Sequence, residues 1–275
     1  MTGPSHFESF ESYIPVDLRS PEALLAAAGV VLFFVLFRYF LMVAPFWWAF
    51  YRRGVAPSRR IYARLPGRAE QLFEIKWSLV SGLVFAVFGV GLGVLWQLGW
   101  TRIYLRFDEF GWFYFFVIGP VLLLVLHDTY FYWTHRWLHL PSVYRRFHRV
   151  HHESLHPSPW ASFSFHPVES AINAAAIPLI VLILPLHPVH ILVHLTLMTV
   201  SAITNHLGFE VLPRSAAVHG WGNWVISGLH HAQHHRFFRW NYGLFFSVWD
   251  RMMKTEHPSF WAEFTQKLNS KTNVS

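Results

Sequence analysis

Long stretches of this chain carry too few polar residues to give a helix a wet face. Apolar runs occupy residues 22–50, 77–99, 111–134, 168–186 and 188–205. A helix needs about 20 apolar residues to cross the hydrocarbon of a bilayer, and each run reaches or approaches that length. The runs predict an all-α integral membrane protein with four to five transmembrane helices. Pro185 and Pro188 bracket a very short connection, which predicts a tight helical hairpin, and Pro178 is expected to kink the fourth run. The first 21 residues are polar, with Glu8, Glu11 and Asp17 and no basic start, and do not read as a cleavable signal peptide. No linker or internal repeat divides the chain, so a single membrane domain over 1–275 is expected. Within it follow a polar N-terminal segment (1–21), the first spans with a basic loop (22–126), a histidine-rich region (127–255) and a C-terminal tail (256–275).

Composition agrees with that pattern: 53% of residues are hydrophobic and 13% charged, against about 25% charged in soluble domains. Where the charge sits changes the picture further. The first loop carries Arg52, Arg53, Arg59, Arg60, Arg64, Arg68 and Lys76. Lys and Arg gather near membrane ends on the cytoplasmic side. With that loop inside, spans two and three go out and back, and so do spans four and five. Segments 135–166 and 206–275 then reach the same side, bringing Arg136, Arg145, Arg146, Arg149, Arg214, Arg236, Arg239, Arg251, Lys254, Lys267 and Lys271. The net charge of +7 thus reads as topology and needs no nucleic acid. Arg38 stands apart, inside the first run, and is expected to snorkel to the nearer interface.

The chain holds 19 histidines and no cysteine. Disulfides, Cys-held iron–sulfur clusters and thiolate-ligated haem are excluded. Three histidine clusters stand out: His135 with His139; His148, His151 and His152; and His231, His234 and His235. Residues three and four apart share a helix face, so an i, i+4 pair can close on one metal ion while the third imidazole serves a second. A single pair would be explained by interfacial packing; two copies of the five-residue spacing plus a pair, all on one predicted face, are not. Eight imidazoles exceed one four-coordinate site, and two metals are the simpler inference. His206, ending the fifth span on the same side, is expected to be a ninth ligand. Glu210, four residues on, is a candidate ligand or an acceptor that fixes an imidazole tautomer. His127 and Asp128 are expected to support the site from behind, and His166 to pack under it or touch substrate. His187, His190 and His194 read as interfacial, and His230 as a neighbour on another face.

Imidazole suits zinc, copper, iron and nickel alike. A carboxylate-bridged di-iron bundle is disfavoured, because only Glu153 to His156 has the required Glu-x-x-His spacing. A histidine-rich membrane metal transporter or binding protein is the rival class. It would place ligands at the midplane between broken helices, whereas these clusters lie outside the spans, among arginines. A fixed site at the cytoplasmic interface favours an enzyme acting on lipid.

The stretch His127-Asp128-Thr129-Tyr130-Phe131-Tyr132-Trp133-Thr134-His135-Arg136, running on to His139, resembles the first histidine box of the sterol desaturase/fatty acid hydroxylase superfamily. The likeness is to the sterol C5-desaturase branch. His148 to His152 with Pro157-Ser158-Pro159-Trp160-Ala161-Ser162 and His166-Pro167 continues it; His231 to His235 with Asn241-Tyr242-Gly243 and Trp249-Asp250 completes it. The resemblance covers about 125–255. It implies a membrane-bound di-iron enzyme, with two iron ions, O2 as co-substrate and external reducing power, desaturating or hydroxylating a lipid C–H bond. It adds Asp250 as a candidate for ligation or support. Two departures concern substrate transfer: Glu210 stands where several C5-desaturase-like sequences have a histidine, and Met252-Met253-Lys254-Thr255 replaces the usual Phe-Gly-Thr.

Trp133, Trp137, Trp160, Phe163 and Phe165 are candidates for the substrate cavity. The chain has no Gly-x-Gly-x-x-Gly fingerprint, no cysteine cluster and no haem-domain signature. A separate electron donor of the cytochrome b5, ferredoxin or reductase type is therefore expected, docking near Arg145, Arg146, Arg149, Arg236 and Arg239. Such an enzyme would sit in a bacterial inner membrane or the endoplasmic reticulum, its site on the cytoplasmic side.

Overall fold

The computed structural model describes residues 16–213, 215–216 and 220–269. Most of the polar N-terminal segment, with Glu8 and Glu11, and the basic residues Arg214 and Lys271 lie outside the described residues. Among the described residues every element is helical, with isolated bridges only, at Arg60–Phe209, Ile103–Leu186 and Val225–Phe246.

Helix α1 (Pro21–Trp47) runs into a π-helical turn at Trp48–Arg52, and α2 (Arg68–Gln97) returns beside it. A second π turn, Tyr114–Ile118, leads into α3 (Gly119–Leu138). A short helical segment, α4, covers 141–152 and contains a third π turn at Tyr144–His148. After a 3-10 turn (Pro159–Phe163) come α5 (Pro167–Val181) and α6 (Pro188–His206), then α7 (Gly228–Phe237), α8 (Val248–Met252) and α9 (Phe260–Asn269). The starts of α1, α5 and α6 share a device. Proline occupies the first turn, where its missing N–H costs nothing. The preceding Ser20, His166 or His187 accepts a backbone N–H, at 3.2, 3.2 and 3.1 Å respectively.

Four helical stretches are long and apolar enough to cross a membrane: Pro21–Arg52, Arg68–Gln97, Tyr114–Leu138 and Pro188–His206. The 168–186 run behaves differently. Its helix has 15 residues, about 22 Å at 1.5 Å per residue, short of a hydrocarbon core of about 30 Å. The helix continues past Pro178 but ends at Val181, and the chain then turns. Arg102 N–H donates to Val181 O (2.7 Å) and Tyr104 N–H to Leu186 O (3.1 Å), tying this turn to the α2–α3 connection. Ile103, Leu123, Ile177, Ile180, Val181, Leu184 and Leu186 form the buried core of that end. Outward faces are apolar, with Phe33, Phe34, Phe37 and Leu41 of α1 and Leu192, Val193 and Leu197 of α6 more than half exposed.

At the opposite end the α5–α6 hairpin opens where α3 finishes and α2 begins. The basic loop 53–67 is stitched to the chain beyond α6. Ile61 N–H donates to Gly208 O (2.9 Å), Glu210 N–H to Arg59 O (2.9 Å), and Arg59 to Leu212 O (2.9 Å). Gly208 has φ +76°, and a Cβ there would also meet the Tyr62 ring at 3.2 Å, so this turn requires glycine. Arg102 and Arg106 belong to the other end. The helical cap over the basic-loop end is held by Ala216, Leu229, Phe260 and Phe264.

Candidate metal centre

The nine histidines singled out by spacing come together at the capped end as two groups. His135, His139, His148, His152 and His234 form one; His151, His206, His231 and His235 form the other. Within each group the candidate ligand nitrogens all lie within 4.8 Å of one another. The triplets divide crosswise. In α4 the i, i+4 pair His148 and His152 faces the first group and His151 the second; in α7 His231 and His235 face the second and His234 the first. Helical spacing sets that division, since positions four apart lie nearly one above the other and the intervening residue is offset. The π turn at Tyr144–His148 widens the backbone just before α4 presents its imidazoles; such bulges recur at functional sites.

Proton counting shows what these groups can hold. His135 Nδ1 donates to Tyr242 O (2.9 Å), His234 Nδ1 to Trp240 O (2.7 Å), His151 Nδ1 to Ser164 O (3.2 Å) and His206 Nδ1 to Ala202 O (2.7 Å). His148 Nδ1 lies 2.8 Å from Glu169 Oε1. A neutral imidazole carries one proton, so in the four rings whose Nδ1 donates to a carbonyl, Nε2 is a bare lone pair. Yet His206 Nε2 sits 3.3 Å from His151 Nε2, with no proton available between them. In the first group, His152 Nε2 lies 3.0 Å from His148 Nε2, 3.2 Å from His139 Nε2 and 3.2 Å from His234 Nε2, and the last two are 3.1 Å apart. Those four contacts have at most three protons to share, from His139, His148 and His152. Lone pairs aimed at one another at this range repel unless a cation lies among them, so the donor sets fit metal ions.

Burial keeps the rings in the neutral, ligating form. His139, His148, His151, His152, His231, His234 and His235 are all held below the ordinary imidazole pKa, chiefly by desolvation and then by one another's charge. Neither group contains a carboxylate.

The other candidates lie outside both groups, and each has a visible job. Glu210 accepts backbone N–H bonds from Leu212 (2.9 Å) and Leu229 (3.1 Å), pinning the start of α7, and burial pushes its pKa up. Asp250 accepts from Tyr242 N–H (2.9 Å), Gly243 N–H (2.8 Å) and Thr255 Oγ1 (2.7 Å), and its pKa is pushed up to about 6 by burial. It thereby fixes the strand of chain whose Tyr242 carbonyl holds His135. Asp128 accepts from Phe245 N–H (2.9 Å) and Phe246 N–H (3.3 Å) in the same segment. His166 caps α5 with Nδ1. His127 pairs ring to ring with His194. His187, His190 and His194 are buried within the protein, away from both groups. His230 faces away from the groups, stacked on Phe260.

Sequence reading missed Glu169, whose carboxylate meets His148 from the first turn of α5. A buried acid opening an apolar helix one residue after His166-Pro167-Val168 was the available signal. It also missed the carbonyls of Ser164, Trp240 and Tyr242, which no side-chain motif reveals.

From the histidine groups a cavity of about 240 Å³ runs into the bundle. His135, His148, His151, His206 and His231 form its floor, and its walls include Phe85, Phe88, Leu92, Ile177, Leu195 and Met198. Phe163 and Phe165 line it as expected. The other three aromatics do not. Trp133 and Trp137 are 43% and 45% exposed on the outer face of α3, and Trp160 packs with Tyr39 and Phe163 in the core.

Residues 120–255 match the family model described as fatty acid hydroxylase. The chain is 31% identical over 180 residues to lathosterol oxidase of Homo sapiens, covering 65% of this chain and 58% of that protein. With lathosterol oxidase of Mus musculus it shares 34% over 189 residues, 68% of this chain and 61% of the other. With the Delta(7)-sterol 5(6)-desaturase ERG3 of Saccharomyces cerevisiae it shares 37% over 136 residues, 50% of this chain and 35% of the other. The chain thus spans about three fifths of the two mammalian relatives and about a third of the yeast one. No solved structure matches it. With its apolar helices and histidine-rich segment 120–255, the chain is a multi-pass integral membrane protein that belongs to the sterol desaturase/fatty acid hydroxylase superfamily, in the sterol C5-desaturase-like branch.

Proposed function

We propose that this chain is an O2-dependent, non-haem di-iron enzyme that desaturates or hydroxylates an unactivated C–H bond of a sterol-like or long-chain lipid. The observation that carries the reading is the union of two all-imidazole groups with an apolar cavity that opens directly onto them. His135, His139, His148, His152 and His234 would hold one iron ion, and His151, His206, His231 and His235 the other. Bound iron with O2 supplies the oxidising power that no side chain of an apolar cavity can offer. The chain's own part is positional. The carbonyls of Ser164, Ala202, Trp240 and Tyr242 keep four rings in one tautomer, and Glu169 stands against Nδ1 of a fifth, His148. The apolar walls exclude water and align the lipid, whose placement decides between losing a second hydrogen and gaining oxygen.

The two named mammalian relatives are lathosterol oxidases and the yeast one a Delta(7)-sterol desaturase, which favours a sterol among the lipids. Electrons would come from a separate acidic carrier. Arg145, Arg146, Arg149, Arg236 and Arg239 are exposed on the segments that present the ligands, and they suit such a partner. We place this end on the cytoplasmic side, because the basic loop gathers there. The histidine groups lie at the end of the bundle, which disfavours a transporter with midplane ligands.

The test is turnover by the iron-loaded chain in nanodiscs, given a Δ7-sterol or a long-chain acyl lipid, a reductant and isotopically labelled O2. The expected product, read by mass spectrometry, loses two hydrogens or gains one labelled oxygen. Metal flux across proteoliposomes without O2 consumption would overturn the reading in favour of a transporter.

A further inference from the structure

Helix α1 contributes Val31, Val35 and Arg38 to the cavity wall. Their i, i+4, i+7 spacing makes them one face of the helix, so the guanidinium stands in an otherwise apolar stripe. It does not lead its charge wholly out to water. Its Nε is buried and has no hydrogen-bond partner. Among the described residues no carboxylate pairs with it, and the cavity's one lining carboxylate, Glu169, has its Oε1 2.8 Å from His148 Nδ1 instead. A guanidinium has five donors and no acceptor, and an ionised group inside a membrane span marks a functional site by default. The side chain's needs are therefore specific: an oxygen acceptor, delivered into the cavity by whatever occupies it.

From this geometry we infer that Arg38 is a specificity-determining residue that binds the oxygen-bearing end of the lipid whose apolar body extends to the histidine groups. The inference rests on the lipid-oxidising reading and narrows it. The occupant is an amphipathic lipid with a hydroxyl or carboxylate at one end, not a plain hydrocarbon chain. The sterol 3-hydroxyl and the fatty-acid carboxylate offer the same chemistry to Arg38; a carboxylate binds more strongly because both partners are charged. The adjacent Tyr39 hydroxyl donates to Trp160 O at 2.7 Å, anchoring this turn of α1 to the 3-10 segment that follows α4. The backbone that carries Arg38 is thus held in place before lipid arrives.

The experiment measures equilibrium binding of radiolabelled probes to the full chain in nanodiscs, independently of turnover. The probes are a Δ7-sterol with a free 3-hydroxyl, its 3-deoxy analogue, palmitate and hexadecane. Arg38→Met is expected to weaken one free lipid by about tenfold or more, the size of a lost hydrogen bond to a charged group, and to leave its oxygen-free analogue unchanged. Which free lipid responds identifies the source of the acceptor. Arg38→Lys, which keeps the charge but not the fork, is expected to recover part of the binding and guards against a folding defect in the methionine variant. Equal losses for the free lipid and its oxygen-free analogue, no loss for either, or no binding of either free lipid to the parent chain would each overturn the inference. Continued iron- and O2-dependent turnover in those cases would leave the functional reading intact.

Discussion

Histidine serves two purposes at the two ends of this bundle. At the connection between α5 and α6, His187 Nε2 donates to Leu105 O (3.0 Å) and His190 Nε2 to Phe115 O (2.8 Å). Their Nδ1 atoms accept from the backbone N–H groups of Val189 (3.1 Å) and His187 (3.3 Å). Every ring nitrogen there has one partner and the proton count closes. At the capped end the count fails: nitrogens face nitrogens, with their protons already committed to carbonyls behind them. Burial does not separate the two populations, since His187 and His190 are 6% and 4% exposed and His151 and His231 are 2% and 5%. What separates them is whether neutral imidazoles can satisfy one another. The distal rings are complete as protein, and the clustered ones form donor sets that cations would complete.

The sharpest way to break this contrast is to remove one ring from each clustered group. His151→Ala is expected to eliminate one of two iron equivalents while His139→Ala eliminates the other, with turnover lost in both, read by elemental analysis of iron-loaded protein. Retention of both equivalents in either variant would return the clusters to the status of ordinary buried histidines. A smaller effect is expected at Glu169. Its carboxylate stands behind His148 as the carbonyls stand behind four other rings, and such supporting partners are worth about 10–100-fold in metal affinity. Glu169→Gln keeps the shape and replaces the carboxyl group with an amide. Iron titration should show weaker binding by that factor at one site, with the second site unchanged.

Much of this arrangement was legible in the sequence, for a reason the triplets make plain. An i, i+3, i+4 pattern has one helical meaning, so His148, His151 and His152 could be divided between two ions before any coordinates. The apolar runs likewise gave the helices, except that the run ending at 186 outlasts its helix. Leu182 to Leu186 are as apolar as what precedes them, but Pro185 stops the helix and the chain turns onto Ile103. The aromatic assignments erred through adjacency. Trp133 and Trp137 each stand two residues from His135, about 200° around an α-helix, so a helix that aims His135 inward aims both tryptophans outward. Carbonyl acceptors behind the site carry no signal, since every residue has one. Only the folded path brings those of Ser164, Trp240 and Tyr242 behind particular rings.

The smallest expected effect tests the distal half of the comparison. His190→Phe keeps an aromatic ring of similar size but removes the donor to Phe115 O and the acceptor of His187 N–H. The fit is close, because a Cβ on Gly119 would come 3.0 Å from the His190 ring, so the phenyl has little room to shift. Leaving buried polar groups unpaired costs about 1–3 kcal/mol each, and a chain of this size loses about 2–4 °C in melting temperature per kcal/mol. A calorimetric shift of several degrees is therefore expected, with both iron equivalents and turnover retained. Loss of iron from this variant would mean that the two histidine populations are coupled through the bundle. The distinction drawn from proton counting would then fail at the end where it looks safest.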